Sequence, residues 1–181
     1  MDNFKKQYNQ ARIELRKELQ VKSIEAVPRI VKVSINIGAG AALKDSNYLE
    51  KISADLIKIV GQKPVMRKAK KSIATFKLRE GSPIGVTATL RGKRMYDFLS
   101  RLVDIALPRV RDFQGIPDSA FDGSGNYTIG IKEHIVFPEI VLDNVEKTFG
   151  LAVTIVTNAN SDELSKKLLT KLKFPFKNKN K

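Results

Sequence analysis

Between Lys63 and Arg94 the chain carries ten Lys and Arg residues, Lys63, Arg67, Lys68, Lys70, Lys71, Lys77, Arg79, Arg91, Lys93 and Arg94, against a single acid, Glu80. Ammonium and guanidinium groups at this density meet phosphate oxygens, and a net +9 over so short a stretch exceeds what solubility asks for. A second block, Lys166 to Lys181, adds seven lysines and no acid. The formal net charge of the whole chain is +14, so everything outside the two blocks is close to neutral. The expected partner is a polyanion, and nucleic acid is the first candidate.

An anionic membrane is the competing polyanion. A membrane-surface helix needs a continuous apolar face opposite its lysines, whereas the basic stretch contains Pro64, Gly81, Pro83 and Gly85, which interrupt any helix. No segment approaches the roughly 20 apolar residues of a membrane span, and the N-terminus is polar and amphipathic, unlike a secretory signal. No membrane partner is expected, and a cytoplasmic location is.

Residue types for catalysis are scarce. Cysteine is absent and His134 is the only histidine, so thiolate metal sites, disulfides and nucleophile–imidazole pairs cannot be assembled. The acids are scattered, with no pair in an acid–base context. Gly38-Ala39-Gly40 follows a strand pattern, but the third glycine of a dinucleotide fingerprint is replaced by Leu43. Neither cofactor nor metal is expected, and the chain reads as a non-enzyme. An RNA-acting enzyme that grips its substrate with the same charges is the alternative, as is a free-standing RNA-binding regulator; the enzyme lacks visible machinery.

These groups need elements to position them. Phe4, Tyr8, Ala11, Leu15 and Leu19 recur at helical spacing, predicting an amphipathic helix over 4–20. Val31, Val33, Ile35 and Ile37 alternate with Lys32, Ser34 and Asn36, the period of a half-buried strand. A helix capped by Ser46 buries Leu49, Ile52, Leu56, Ile59 and Val60, and Gly61 stands where a left-handed terminal residue belongs. A short extended piece over 64–67 precedes a basic loop. Val86, Ala88 and Leu90 then alternate with Thr87, Thr89 and Arg91 as a second strand, followed by a helix over about 93–107 that Pro108 stops. Asp122 to Asn126 is turn chemistry before a strand at 127–131, and residues 132–149 fit no clear pattern. Strand 151–157 leads to a helix capped by Ser161 with Leu164, Leu168 and Leu172 inside.

The order predicts a single α+β domain over 1–176, followed by a basic, disordered tail at 177–181. Because its strands alternate, the mostly antiparallel sheet is covered by helices on one face and open on the other, a ferredoxin-like or RNA-recognition topology with an extra N-terminal helix and long loops. Parity assigns the open face to Lys32, Ser34, Asn36, Thr87, Thr89, Arg91 and Thr128. These groups suit sugar, phosphate and base edges; the face lacks the paired aromatics of a base-stacking RNA-recognition sheet. The loop from Lys68 to Gly85 is expected to protrude on an apolar stem with a charged tip.

Twelve segments in order resemble the bacterial ribosomal protein L5 family over essentially the whole length. Among them are Ile35-Asn36-Ile37-Gly38, Gly61-Gln62-Lys63-Pro64, Lys68-Ala69-Lys70-Lys71-Ser72, Phe76-Lys77-Leu78-Arg79, Thr89-Leu90-Arg91, Ala106 to Phe113, Gly125-Asn126-Tyr127 and Phe174-Pro175-Phe176. The resemblance implies a structural protein of the large ribosomal subunit, in its central protuberance. Its implied partners are 5S rRNA, a neighbouring large-subunit rRNA helix, P-site tRNA, and neighbouring ribosomal proteins including one small-subunit protein at an intersubunit bridge. Asn36, Gln62 and Thr89 fall on the family's 5S rRNA-binding positions, so the expected rRNA surface comprises Lys32, Ser34, Asn36, Gln62, Lys63, Arg67, Thr87, Thr89 and Arg91. The loop bearing Lys68, Lys70, Lys71, Ser72, Thr75, Lys77, Arg79 and Ser82 corresponds to the family's tRNA-facing loop. Arg109, Arg111 and Asp112 are the implied bridge residues. The chain has Ser124 where the family usually has arginine, which argues against a phosphate contact at that turn.

Overall fold

The computed structural model describes residues 2–40, 46–140 and 148–177. The cap expected of the Ser46 side chain, Leu43 and tail residues 178–181 lie outside the described residues. Helix α1 (Asp2–Glu18) buries Phe4, Tyr8, Ala11 and Leu15 as their spacing requires. Strand β1 (Ile30–Gly38) leads to α2 (Ser46–Val60), which buries Leu49, Ile52, Leu56, Ile59 and Val60. Gly61 ends α2 at φ 67°, donating its N–H to the Ile57 carbonyl at 2.8 Å. Strands β2 (Val65–Lys68) and β3 (Pro83–Leu90), helix α3 (Gly92–Arg101), strands β4 (Tyr127–Ile131) and β5 (Leu151–Thr157) and helix α4 (Asp162–Lys171) follow. No described helix is long and apolar enough to cross a membrane.

The five strands lie in the order β2-β3-β1-β5-β4, every neighbour antiparallel. β3 inserts between β1 and β2, and β1 inserts between β3 and β5, so both β-α-β units are split. This is the ferredoxin-like arrangement, with β4 added at one edge. One sheet face is sealed by Val33, Ile35, Ile37, Val86, Ala88, Leu90, Val153 and Ile155 against Leu15, Leu56, Ile59, Phe98, Leu99, Leu168 and Leu169 of the helices. Each of these side chains except Ala88 contributes about 1.5–3 kcal/mol on burial. A one-residue slip of β1 would move Ser34 and Asn36 into that core, so the apolar set fixes which face stays open.

Four local features differ from the sequence reading. Val31 is 38% exposed and Ile30 takes the core position, because a bulge between Ile30 and Lys32 against β5 breaks the alternation at the start of β1. The extended piece at 64–67 is a full edge strand paired to β3. The helix expected to 107 leaves α-geometry after Arg101, continuing as a wide π-type turn at Leu102–Ala106 and a tight 3-10 turn at Leu107–Arg109. Pro108 explains it: the ring lacks an N–H and would strike the Asp104 carbonyl in a regular helix. In α4, Leu169 packs inward beside Leu168 whereas Leu164 is half-buried, and the Ser161 hydroxyl makes no capping bond.

Candidate nucleic-acid interface

Cross-strand register turns the open face into rows. Thr89, Ser34, Thr154 and Thr128 stand side by side across β3, β1, β5 and β4, a ladder of four hydroxyls, with Thr128 Oγ1 and Thr154 Oγ1 3.0 Å apart. The next row reads Val65, Thr87, Asn36, Ala152 and Gly130, and a third reads Arg67, Gly85 and Gly38. Lys32 stands opposite Val156 at the other end. None of these residues is acidic, and most are small, so a polyanionic backbone can approach the sheet closely. Thr154 was missed by sequence reasoning, although the alternation of β5 places Ala152, Thr154 and Val156 on this face as surely as β1 places Asn36.

The side chains here differ in availability. Asn36 is exposed at the centre of the face, and neither its carboxamide nor the Ser34 and Thr89 hydroxyls hydrogen-bond within the described protein. Thr87 departs from expectation. It is buried within the second row, and its hydroxyl donates to the Ile35 carbonyl at 3.0 Å, stitching β3 to β1. Gln62 is also partly committed: its amide donates to the Thr89 carbonyl at 3.3 Å, and its oxygen accepts from Arg94 at 3.5 Å. Gln62 therefore ties the end of β3 to the start of α3, where Arg91, Lys93, Arg94 and Lys63 are all exposed.

Charge is segregated by side. Among the described residues, ion pairs join Arg12 and Arg29 to Glu25, Lys58 to Asp55, Arg101 to Glu139, Lys166 to Asp118, Lys167 to Glu18, and Lys171 to both Glu14 and Glu18. None uses a cation of the 63–94 block. Hydrogen bonds from Lys171 and then Lys167 hold the Glu18 carboxyl below the usual carboxylate range. These ion pairs gather on the helical side, while the cations of the sheet edge and its loop are left for an outside anion.

The loop between β2 and β3 is braced. Ala69 N–H donates to Ser82 at 2.8 Å, Gly81 N–H to Ala69 at 3.0 Å, and Ile73 and Leu78 exchange two backbone bonds at 2.9 and 3.1 Å. Ser72 Oγ accepts the Glu80 N–H at 2.9 Å, so this hydroxyl serves the loop itself. Lys68, Lys70, Lys71, Thr75, Lys77 and Arg79 are exposed and Ser82 is half-buried. The expected charged tip on an apolar stem is corrected: the tip is a single 3-10 turn, Ala74–Phe76, with Phe76 70% and Ile73 43% exposed. The hairpin pairing that closes the loop turns both side chains away from the core.

At the opposite edge of the sheet, Arg109, Arg111 and Asp112 line a cleft of about 460 Å³ with Ile131, Glu133, Ile135 and Val136. Asp112 is held at φ 52°, so this rim is a fixed turn carrying both charges. The glycine-rich turn is filled internally. Asp162 accepts the N–H groups of Gly123 and Gly125, and Asp122 those of Ser124 and Asn126, leaving no free amide nest for phosphate. The Asn126 carboxamide and these amides hold the Asp122 carboxyl below its ordinary range. Among the described residues no three carboxylate or imidazole groups converge where a metal would sit.

Fold and surface define an α+β protein whose ion pairs gather on its helical side and whose five strands carry no acidic residue. Residues 23–79 match the model of ribosomal protein L5, and residues 83–176 match the model of the C-terminus of the same ribosomal family. Named relatives are the large ribosomal subunit proteins uL5 of Ralstonia pickettii, 53% identical over 165 residues (91% of this chain, 92% of the relative), and of Mesoplasma florum, 56% over 163 residues (90% and 91%). That of Macrococcus caseolyticus is 52% identical over 168 residues, 93% of this chain and 94% of its own. The chain belongs to the ribosomal protein L5 family, whose members are structural proteins of the ribosome and not enzymes.

Proposed function

We propose that this protein is a structural constituent of the large ribosomal subunit that holds 5S rRNA on the open face of its sheet and helps to attach it in the central protuberance. The observation that carries this reading is the face itself: Asn36, Ser34 and Thr89 present unspent hydrogen-bonding groups on an acid-free surface, flanked by Lys32, Lys63, Arg67 and Arg91 with no ion-pair partners. Polar groups of this kind suit ribose hydroxyls and base edges of folded RNA, and the cations supply phosphate contacts. Gln62 acts by holding Arg94 and the end of β3 in place. The loop bearing Lys70 and Lys71 reaches P-site tRNA, another surface meets a neighbouring large-subunit rRNA helix, and the cleft rim at Arg109, Arg111 and Asp112 meets a small-subunit protein in the intersubunit bridge.

Competition binding tests it. The full chain should prefer 5S rRNA to an unrelated hairpin of equal length at moderate salt, and Asn36→Ala with Thr89→Ala should erode that preference. Affinity should fall steeply with salt, because each neutralised phosphate contributes a slope of about 0.7–0.9 in log–log terms. Equal affinity for both RNAs at moderate salt refutes the reading.

A further inference from the structure

We propose that Phe76 is a stacking platform for an unpaired nucleobase, presented by the β2–β3 loop to the RNA that this loop meets. The inference rests on the reading that the loop contacts RNA, and it adds a kind of contact that charge alone does not provide. Phe76 is the most exposed large apolar side chain among the described residues, at 70%. It does not dangle from a slack segment. Phe76 N–H donates to the Ile73 carbonyl at 3.3 Å, Lys77 closes the turn at φ 50° with its N–H on the Ala74 carbonyl at 3.0 Å, and the Ile73–Leu78 pair clamps both ends. A phenyl ring held this firmly in water gains nothing from the fold. Its cost is recovered only when something covers it.

The surroundings select what covers it. Lys70, Lys71, Lys77 and Arg79 are exposed around the turn without ion-pair partners, so an apolar protein surface would have to bury uncompensated cations beside the ring, whereas RNA brings phosphates to them and a π-face to the phenyl group. A fully paired helix hides its base faces in the stack. The ring therefore calls for an unstacked base, in a loop, bulge or junction. Ile73, 43% exposed on the same turn, widens the platform.

The chain contains no tryptophan, so Phe76→Trp places a sole tryptophan, excited selectively over the four tyrosines, at the point of contact. The full-length variant is titrated at low ionic strength with a folded tRNA transcript, rich in unpaired bases, and with a blunt, fully paired RNA duplex of similar phosphate number. The expected result is marked quenching by tRNA and little by duplex, with Phe76→Leu weakening tRNA binding about 5- to 150-fold while duplex binding is unchanged. Phe76→Leu binding tRNA as tightly as the native chain overturns the proposal, as does equal quenching by both RNAs. Lys70→Gln with Lys71→Gln, measured on the native Phe76 background, separates the two levels. A salt slope reduced by the lysine pair, together with no quenching of Phe76→Trp by tRNA, refutes stacking alone, and a slope left unchanged by the lysine pair refutes the RNA-facing loop beneath it.

Discussion

His134 shows how an apparent chemical group is retired by its surroundings. It is fully buried, its ring stacks on Phe149 with centroids 3.8 Å apart, and Nδ1 accepts the Phe149 N–H at 3.3 Å. Nε2 lies 3.9 Å from Asp55 Oδ2, too far for a hydrogen bond, and has no other partner. Burial disfavours the imidazolium more than the Asp55 carboxylate favours it, so the pKa lies below the ordinary histidine value of 6.5. The unfolded chain then binds the extra proton first. The corresponding stability is complete above about pH 6.5 and is lost as pH falls below it, with a slope of at most about 1.4 kcal/mol per unit. As the only histidine, its NMR titration is unambiguous; a midpoint at or above 6.5 contradicts this account. Two neighbouring threonines give a second contrast. Thr87→Val should cost about 1 kcal/mol in urea denaturation through the lost bond to Ile35, with RNA preference unchanged, whereas Thr89→Val should leave stability alone and reduce the preference for 5S rRNA. The opposite assignment of effects would contradict a structural Thr87 and an RNA-facing Thr89.

Between residue and fold, a polar clasp fixes how α2 meets α3. Arg101 donates one N–H to Glu139 and another to the Ile59 carbonyl at 2.8 Å, joining the last turn of α2 to α3 and to the segment before Ile140. Glu139 Oε2 already lacks a partner. Arg101→Ala should therefore destabilise by about 2 kcal/mol, leaving a carboxylate in a half-buried site, and Glu139→Gln added to it should restore part of the loss. Urea midpoints of Arg101→Ala, Glu139→Gln and the double variant check this; additive losses would mean that the pair is not coupled. Elements of this kind show what was legible in the sequence. The inward positions of β1 and β3 were readable because period two and apolar residue type agree over Val33–Ile37 and Val86–Leu90, and the open face followed by subtraction. The bulge at Val31 was not, because it arises from pairing with β5, more than a hundred residues away. Nor was the exposed Phe76: an aromatic between a lysine-rich segment and a glycine reads equally as stem or tip until the Ile73–Leu78 pairing fixes where the chain reverses. Thr87 was hidden for a similar reason, since parity gives a side chain's direction but not whether edge strand β2 covers it.

Over the whole molecule, charge segregation sets two responses to salt that run in opposite directions. The cations of residues 63–94 have no acidic partners among the described residues, so in the free protein they repel one another across a shared sheet edge and loop. The ion pairs on the helical side pull the other way, yet most are exposed and each contributes only about 0–1 kcal/mol. Raising ionic strength shortens the screening length from about 30 Å at 0.01 M to about 8 Å at 0.15 M, which relieves repulsion spread over a surface more than it weakens contacts made at 3–4 Å. The melting temperature of the free chain should therefore rise by several degrees over that range, while affinity for RNA falls by orders of magnitude. Replacing Lys63, Arg67, Lys70 and Lys71 by Gln should raise the low-salt melting temperature and flatten both dependences together. A melting temperature that falls with salt would show that the helical ion pairs dominate and that the basic edge is not held under self-repulsion. The same surface charge that destabilises the free protein then stabilises the bound one, so RNA should raise its melting temperature most where salt is lowest.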